Sequence, residues 1–257
     1  MNPQPAPQRI AAQNTWLVLG GSSRVARAFA LAAADGGSAI ILAGRDTRDL
    51  QASAADIRLR SGRSAEVLAF DACDGASHAG FAQSCRKLTT GRLNVFLAFG
   101  QMPEQSALDG DPALLRTTIE ANFSGAASVL SQLAPILEAQ RSGHVVILGS
   151  VAGDRGRLKN YVYGAAKAGL HTYAQGLRAR LCRSGVTVLT VKPGFVDTAM
   201  SYGQPGLFLV AQPEALALAI LRAVERKRLV LYYPRFWYWI MLIIRHIPER
   251  IFQRLNL

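Results

Sequence analysis

The rhythm of the chain constrains its fold more than any single motif. From Thr15 onward, short apolar runs alternate with longer stretches of helical spacing, with Gly or polar turns between them. A short apolar run bounded by turn residues reads as a buried strand, and a following stretch of period 3.6 reads as the helix that covers it. Strands are expected at Trp16–Leu19, Ala39–Leu42, Ala65–Phe70, Leu93–Phe99, His144–Leu148, Val186–Val191 and Leu229–Tyr232. Helices are expected near Arg24–Ala34, Thr47–Arg60, Ala76–Leu88, Pro112–Ala139, Tyr163–Cys182 and Pro213–Lys227. Seven strands with covering helices predict an α/β doubly wound parallel sheet. At 257 residues one core is enough: residues 1–14 read as a disordered lead-in, 15–235 as the sheet domain and 236–257 as a tail. The segment Ala199–Gln212, with Gly203, Pro205 and Gly206, reads as an irregular lid.

Ligands of such sheets sit beyond the carboxyl ends of the strands, so the residues after each apolar run are where chemistry belongs. Gly20-Gly21-Ser22-Ser23-Arg24-Val25-Ala26 follows the first strand and opens the first helix. A Gly-rich turn there lets backbone N–H groups and the helix dipole meet a pyrophosphate. Arg24 either adds a cation on that phosphate or points to solvent. The second strand ends at Ala43-Gly44-Arg45, with no carboxylate to grip both hydroxyls of an NAD ribose. Arg45 offers a bidentate fork to a 2′-phosphate, which favours NADP(H), or it is an ordinary surface arginine. Asp71, after the third strand, is placed to accept from an adenine amine, and Asp74 is expected to cap a helix.

Ser150 closes the fifth strand, and Tyr163 and Lys167 follow at i, i+4, which puts them on one helical face. Carbonyl reduction needs a proton donor beside the reacting oxygen, and a tyrosine with a pKa near 10 is a poor one at neutral pH. A neighbouring ammonium favours phenolate, and lowering the pKa to about 7 needs roughly 4 kcal/mol of differential stabilisation. Lys167 is expected to supply it and to hold the nicotinamide ribose, while Ser150 orients the carbonyl. Tyr161 has Ala165 four residues on and lacks a lysine on its face. An isolated Tyr-x-x-x-Lys is more often a plain helix start; the serine, the Gly turn and Arg45 at strand ends of one sheet argue otherwise.

With these residues in place the chain resembles the short-chain dehydrogenase/reductase family over nearly all of residues 15–235, which implies a Rossmann-type fold and an NADP(H)-dependent oxidoreductase. By position the resemblance makes Asn122 the proton-relay asparagine. It makes Pro193, Val196 and Thr198 of Lys192-Pro193-Gly194-Phe195-Val196-Asp197-Thr198 part of the segment that cups the nicotinamide. Gly20, Arg24 and Ala26 stand at the family's three glycine places. Gly100 matches the last glycine of its strand-4 motif, although Leu97-Ala98-Phe99 replaces that motif's asparagines. The run Leu242-Ile243-Ile244-Arg245-His246-Ile247-Pro248 further resembles the branch that reduces the C2 ketone of a polyprenyl-phosphate 2-keto-pentofuranose to the arabinose-configured alcohol. That resemblance implies a lipid-linked keto-sugar substrate, a separate FAD-dependent oxidase as partner, and a homo-oligomer. A reductase of a smaller ketone or oxoacyl group, and a non-catalytic dinucleotide-binding scaffold, are the alternatives.

The charge agrees with an anionic partner: 29 Lys and Arg against 17 Asp and Glu give +12. Residues 222–257 hold eight of the basic residues against two glutamates, interleaved with Trp237, Tyr238, Trp239 and an aliphatic run. The nine apolar residues from Phe236 to Ile244 fall well short of the ~20 needed to cross a bilayer, so the tail reads as lying on a membrane surface or as packing against a second subunit. No nucleic-acid motif is present. Three cysteines without CxxC spacing and four scattered histidines suggest neither disulfides nor a metal, and the Pro/Gln-rich start lacks a signal-peptide core. The expected location is the cytoplasm, on the inner face of the cell membrane. His246 reads as a packed or capping residue.

Overall fold

In the computed structural model, which describes residues 14–198 and 209–255, each apolar run becomes a strand of one parallel sheet. The first half runs β1 (Asn14–Leu19), α1 (Arg24–Asp35), β2 (Ala39–Gly44), α2 (Thr47–Ser61), β3 (Ala65–Ala69), α3 (His78–Leu88) and β4 (Arg92–Leu97). Two short helices, α4 (Gln105–Gly110) and α5 (Pro112–Ile119), lead through a π-helical stretch to α6 (Gly125–Gln140). The second half runs β5 (His144–Leu148), α7 (Tyr161–Leu181), β6 (Thr187–Pro193), α8 (Pro213–Glu225) and β7 (Val230–Tyr233), and the chain then forms α9 (Phe236–His246) and α10 (Glu249–Phe252).

The strand order is β3-β2-β1-β4-β5-β6-β7, so the direction of winding reverses between β1 and β4. The pleat divides the apolar residues between two faces. Trp16 and Val18 join the core under α1, α2 and α8, whereas Leu17 and Leu19 join the one under α3, α6 and α7. With both faces covered, the strands carry mostly apolar runs rather than a strict alternation, which made them legible.

Several boundaries differ from expectation. Asn14 already pairs with Arg92, so the sheet begins one residue earlier than the predicted lead-in allows. β4 stops at Leu97, and Ala98-Phe99-Gly100 leaves the ladder to wall a cavity instead. The single long helix predicted over Pro112–Ala139 is broken at Glu120–Ser124, where the chain adopts π-helical geometry. Such π-bulges insert one extra residue and re-aim side chains, and are frequent at functional sites. Asp74 stands at the start of a 3-10 turn but makes no side-chain capping bond, a correction to its expected role. Most of the predicted lid, residues 199–208, lies outside the described residues, as do residues 1–13 of the lead-in. Among the described residues no helix is long and apolar enough to cross a membrane.

The tail is not an appendage. Trp237 and Met241 of α9 are buried against Val151 of the loop after β5, with Phe195 and Ile244 packed around them. The spacing 237, 241, 244 is the inward face of a helix.

Candidate active site

β1, β4 and β5 end on one side of the sheet, and above them lies a cavity of about 540 Å³. Most of the residues singled out in the sequence converge there. Ser22, Ser23, Arg24 and Val25 line it from the turn after β1. Gly100 lines it from the segment after β4, and Ser150, Tyr163 and Lys167 from β5 and α7. Pro193, Val196 and Thr198 close it from the segment after β6. Arg45 and Asp71 stay outside it, at the ends of β2 and β3. They share one corner: burial and the carboxylates of Asp71 and Glu120 push the Cys73 thiol up, with Arg45 pulling the other way.

The Gly turn is shaped for close approach. Gly20 has φ +82°, and a Cβ there would lie 2.7 Å from the Phe99 backbone nitrogen, so no L side chain fits. Ser23 accepts from the Ala26 N–H at 3.1 Å and starts α1. Arg24 has a partner that neither reading named. Its Nη1 forms a 2.9 Å ion pair with Asp197, which ties the start of α1 to the segment after β6 across the mouth of the cavity. Asp71 is likewise engaged: its Oδ1 accepts from the Cys73 N–H at 2.9 Å, an Asx turn that shapes the end of β3.

Tyr163 and Lys167 are 6 % and 3 % exposed, on one face of α7 as the spacing requires. Ser150 hydrogen-bonds Tyr163, and its own Oγ accepts from the Ala152 N–H at 3.1 Å, which fixes the rotamer. Lys167 Nζ lies 5.7 Å from the centroid of the Tyr163 ring and donates to the Leu148 carbonyl at 3.3 Å. The expectation that Lys167 draws Tyr163 toward phenolate is not met. Burial pushes the phenol up to about 12, the Ser150 hydrogen bond opposing only in part, and burial pushes the Lys167 ammonium down to about 8. Desolvation penalises both charged forms. The phenol is held as an acid.

The π-helical stretch places Asn122, nearly fully buried, at this site. Its Nδ2 donates to the Gln101 carbonyl at 2.7 Å and to the Thr118 carbonyl at 2.9 Å, and its Oδ1 accepts from the Gln101 N–H at 3.3 Å. A Cβ on Gly100 would stand 2.6 Å from Asn122 Oδ1 and 3.2 Å from Lys167 Nζ. Gly100 is thus the gap that lets the amide and the ammonium face the same space. Tyr161, set aside in the sequence, is exposed and hydrogen-bonds Asp109.

Sequence reasoning missed a charged loop directly behind Ser150. Asp154 takes Lys192 Nζ at 2.5 Å and the Tyr232 hydroxyl at 2.6 Å, linking the loop to β6 and β7. His171 Nδ1 lies 3.6 Å from the same carboxylate, and its Nε2 accepts from the Ser150 N–H at 3.4 Å. Burial, reinforced by Lys192, pushes His171 down to about 3, so it stays neutral and keeps that acceptor. Arg155 reaches the tail. Its Nη1 donates to the carbonyls of Ile244, Arg245 and Ile247 at 2.8–3.1 Å, its Nη2 pairs with Glu249 at 2.6 Å, and its guanidinium lies 4.1 Å over the Phe252 ring. The signal was readable: Asp154-Arg155-Gly156-Arg157 is a charge cluster at the carboxyl end of a strand. His246 caps its own helix by bonding the Leu242 carbonyl at 2.7 Å, as read from the sequence.

Residues 14–204 match the short chain dehydrogenase family. An uncharacterized oxidoreductase of Mycobacterium tuberculosis is 31 % identical over 239 residues, covering 93 % of this chain and 96 % of its own length. Another, from Streptomyces coelicolor, is 31 % identical over 243 residues, covering 93 % and 94 %. A short-chain dehydrogenase of Sphingobium yanoikuyae, solved in complex with NADPH, superposes with a TM-score of 0.78 at 26 % identity, covering 92 % of this chain and 97 % of its own. The family match spans β1 to β6 and the residues singled out at the cavity, and the chain belongs to the short-chain dehydrogenase family of oxidoreductases.

Proposed function

We propose that the protein uses NADPH to reduce the C2 ketone of a polyprenyl-phosphate 2-keto-pentofuranose, yielding the arabinose-configured alcohol, as the decaprenylphosphoryl-2-keto-ribose reductases do. The dinucleotide fits the residues present. The turn at Gly20 leaves no room for a Cβ, the start of α1 faces the cavity, and Arg45 at the end of β2 offers a 2′-phosphate its fork. The NADPH bound by the Sphingobium relative supports the same choice. Bound there, the nicotinamide supplies the hydride.

This chain's own residues do the rest. Ser150 and Tyr163 hydrogen-bond the ketone oxygen, and Tyr163, neutral because it is desolvated, gives its proton as charge develops on that oxygen. Lys167 stabilises the phenolate left behind. Asn122 Oδ1, facing the same gap at Gly100, is placed to accept from a water that returns a proton to Lys167.

The observation that carries the substrate is the place of α9. A Cβ on Gly194 would lie 1.9 Å from Trp237, so the tail helix is seated directly on the segment that closes the cavity. Its outer face carries Trp239 and Ile243, 64 % and 68 % exposed, beside the basic residues of the tail. An apolar, cationic face at a reductase's mouth suits a phosphate-bearing lipid held at a membrane surface. The ketone would come from an FAD-dependent oxidase acting on the same lipid. The deciding experiment follows NADPH oxidation with farnesylphosphoryl 2-keto-ribose against cyclohexanone and an oxoacyl thioester. Preference for the keto-sugar is expected; turnover of the small ketone or the thioester alone sinks the assignment.

A further inference from the structure

Two polar side chains in the cavity wall each carry a buried atom that has no hydrogen-bond partner among the described residues. Arg157 and Asn160 line the cavity together with Ser150, Tyr163 and Lys167. Arg157 Nε and Asn160 Oδ1 are buried, and neither has a hydrogen-bond partner among the described residues. What their other atoms touch is poor. Arg157 Nη2 meets Met241 Sδ at 3.1 Å, and Asn160 Nδ2 meets Met102 Sδ at 4.0 Å, both thioethers and weak acceptors. Arg155, two residues earlier, shows how the same loop satisfies a guanidinium when its role is structural.

Arg157 forms no ion pair among the described residues. Asp154, the carboxylate whose charge it feels, is already engaged by Lys192 and Tyr232. Residues 199–208 contain no Asp or Glu. Asn160 is also out of its usual employment: it stands at the N-cap of α7, where an asparagine ordinarily bonds its own helix, and makes no such bond. A half-buried cation without an anion and a buried amide oxygen without a donor are costly, and each such group in a folded protein calls for a reason.

We infer that Arg157 and Asn160 anchor the substrate, the guanidinium taking an anionic phosphoryl oxygen and the Asn160 Oδ1 accepting from a neighbouring hydroxyl. The start of the 21-residue helix α7 lies beside them and adds the positive end of its dipole. A guanidinium is suited to this work because its fork matches a phosphoryl group and it stays charged when desolvated. Met241, in contact with Arg157, belongs to α9, so the anion site and the lipid-facing helix share a wall.

The inference rests on the reading of a phosphate-bearing substrate, and its test separates the two. Geranyl phosphate and geraniol are titrated by calorimetry into the NADPH-loaded protein, for the parent, Arg157→Met, Arg157→Lys and Asn160→Ala. The parent binds geranyl phosphate; Arg157→Met weakens it by about 30-fold or more, since one partner of a buried charge pair is removed. Arg157→Lys retains part of the affinity, Asn160→Ala leaves geranyl phosphate unaffected, and geraniol binds all four proteins alike. The thermal midpoint of unliganded Arg157→Met stays level or rises, because a half-buried cation with an unsatisfied Nε has been replaced by an apolar stem. Equal binding of geranyl phosphate by the parent and Arg157→Met, or a lower midpoint in Arg157→Met, overturns the anchor. With the keto-sugar, Arg157→Met is expected to raise KM with little change in kcat, and Asn160→Ala to raise it through the lost sugar hydroxyl; an unchanged KM in Arg157→Met overturns the anchor while the proposed reaction stands. If geranyl phosphate depends on Arg157 but the keto-sugar is not reduced, the reaction fails and the anchor stands.

Discussion

Tyr163 and Lys167 form a pair in which burial shifts both groups toward their neutral forms. With the phenol pushed up to about 12 and the ammonium down to about 8, the free protein holds a neutral acid beside a lysine that titrates close to the physiological range. The sign follows directly: below pH about 8 Lys167 carries its proton, and above it the stabilising charge is lost while Tyr163 remains protonated. kcat/KM for ketone reduction is therefore expected to fall as pH rises through about 8, since that parameter reports groups of the free enzyme. Lys167→Arg cannot lose its proton there, so a basic limb that persists in that variant would rule the assignment out. Removing the proton donor is the second expectation. Tyr163→Phe should lower kcat by about 10²–10⁴-fold with its circular dichroism unchanged, and normal NADPH oxidation by this variant would exclude Tyr163 as the acid.

α9 owes its position to two contacts that no helical pattern announces. Gly194 lets Trp237 in at a distance a Cβ forbids, and Arg155 collects the carbonyls at the carboxyl end of the helix, where a cation also meets the negative end of the dipole. Arg155→Ala leaves those carbonyls without their cap and should cost about 2–3 kcal/mol, on the scale of charge-assisted hydrogen bonds. The loss should appear as faster proteolysis within 236–257 and a lower urea midpoint; a cleavage pattern like the parent's would show that the clamp is dispensable. The same contacts undermine truncation as a probe of substrate binding. Deleting 236–257 also strips Val151 and the loop behind Ser150 of their cover, so lost activity would not distinguish lipid docking from a loosened catalytic loop.

For the whole molecule, half of the +12 net charge lies in residues 222–257, next to an exposed apolar face of α9. Flotation with vesicles should show binding to anionic phosphatidylglycerol and weak binding to phosphatidylcholine, with salt releasing the protein because exposed charges are screened. Trp239→Glu with Ile243→Glu should abolish binding and leave the thermal midpoint in place, since both side chains face outward. Cofloatation of that double variant at the parent's level would show that α9 is not the contact. A shift of the parent to a dimer that the double variant cannot form would assign the face to a second subunit.

Apolar runs and helical spacing determined the sheet, its covering helices and the side on which the cavity lies, because period and burial are local properties written into consecutive residues. The same locality made Ser150, Tyr163 and Lys167 legible, since i, i+4 on a helix and the residue after a strand are positions a reader can count. Distance along the chain hid the rest. Asp154 meets Lys192 and Tyr232 across 38 and 78 residues, and Arg155 meets α9 across about 90. Only the tertiary structure decided that Arg24 pairs with Asp197, and that burial pushes the Tyr163 phenol up. Desolvation and long-range pairing depend on what the fold brings together, and that is why they are read from packing and not from spacing.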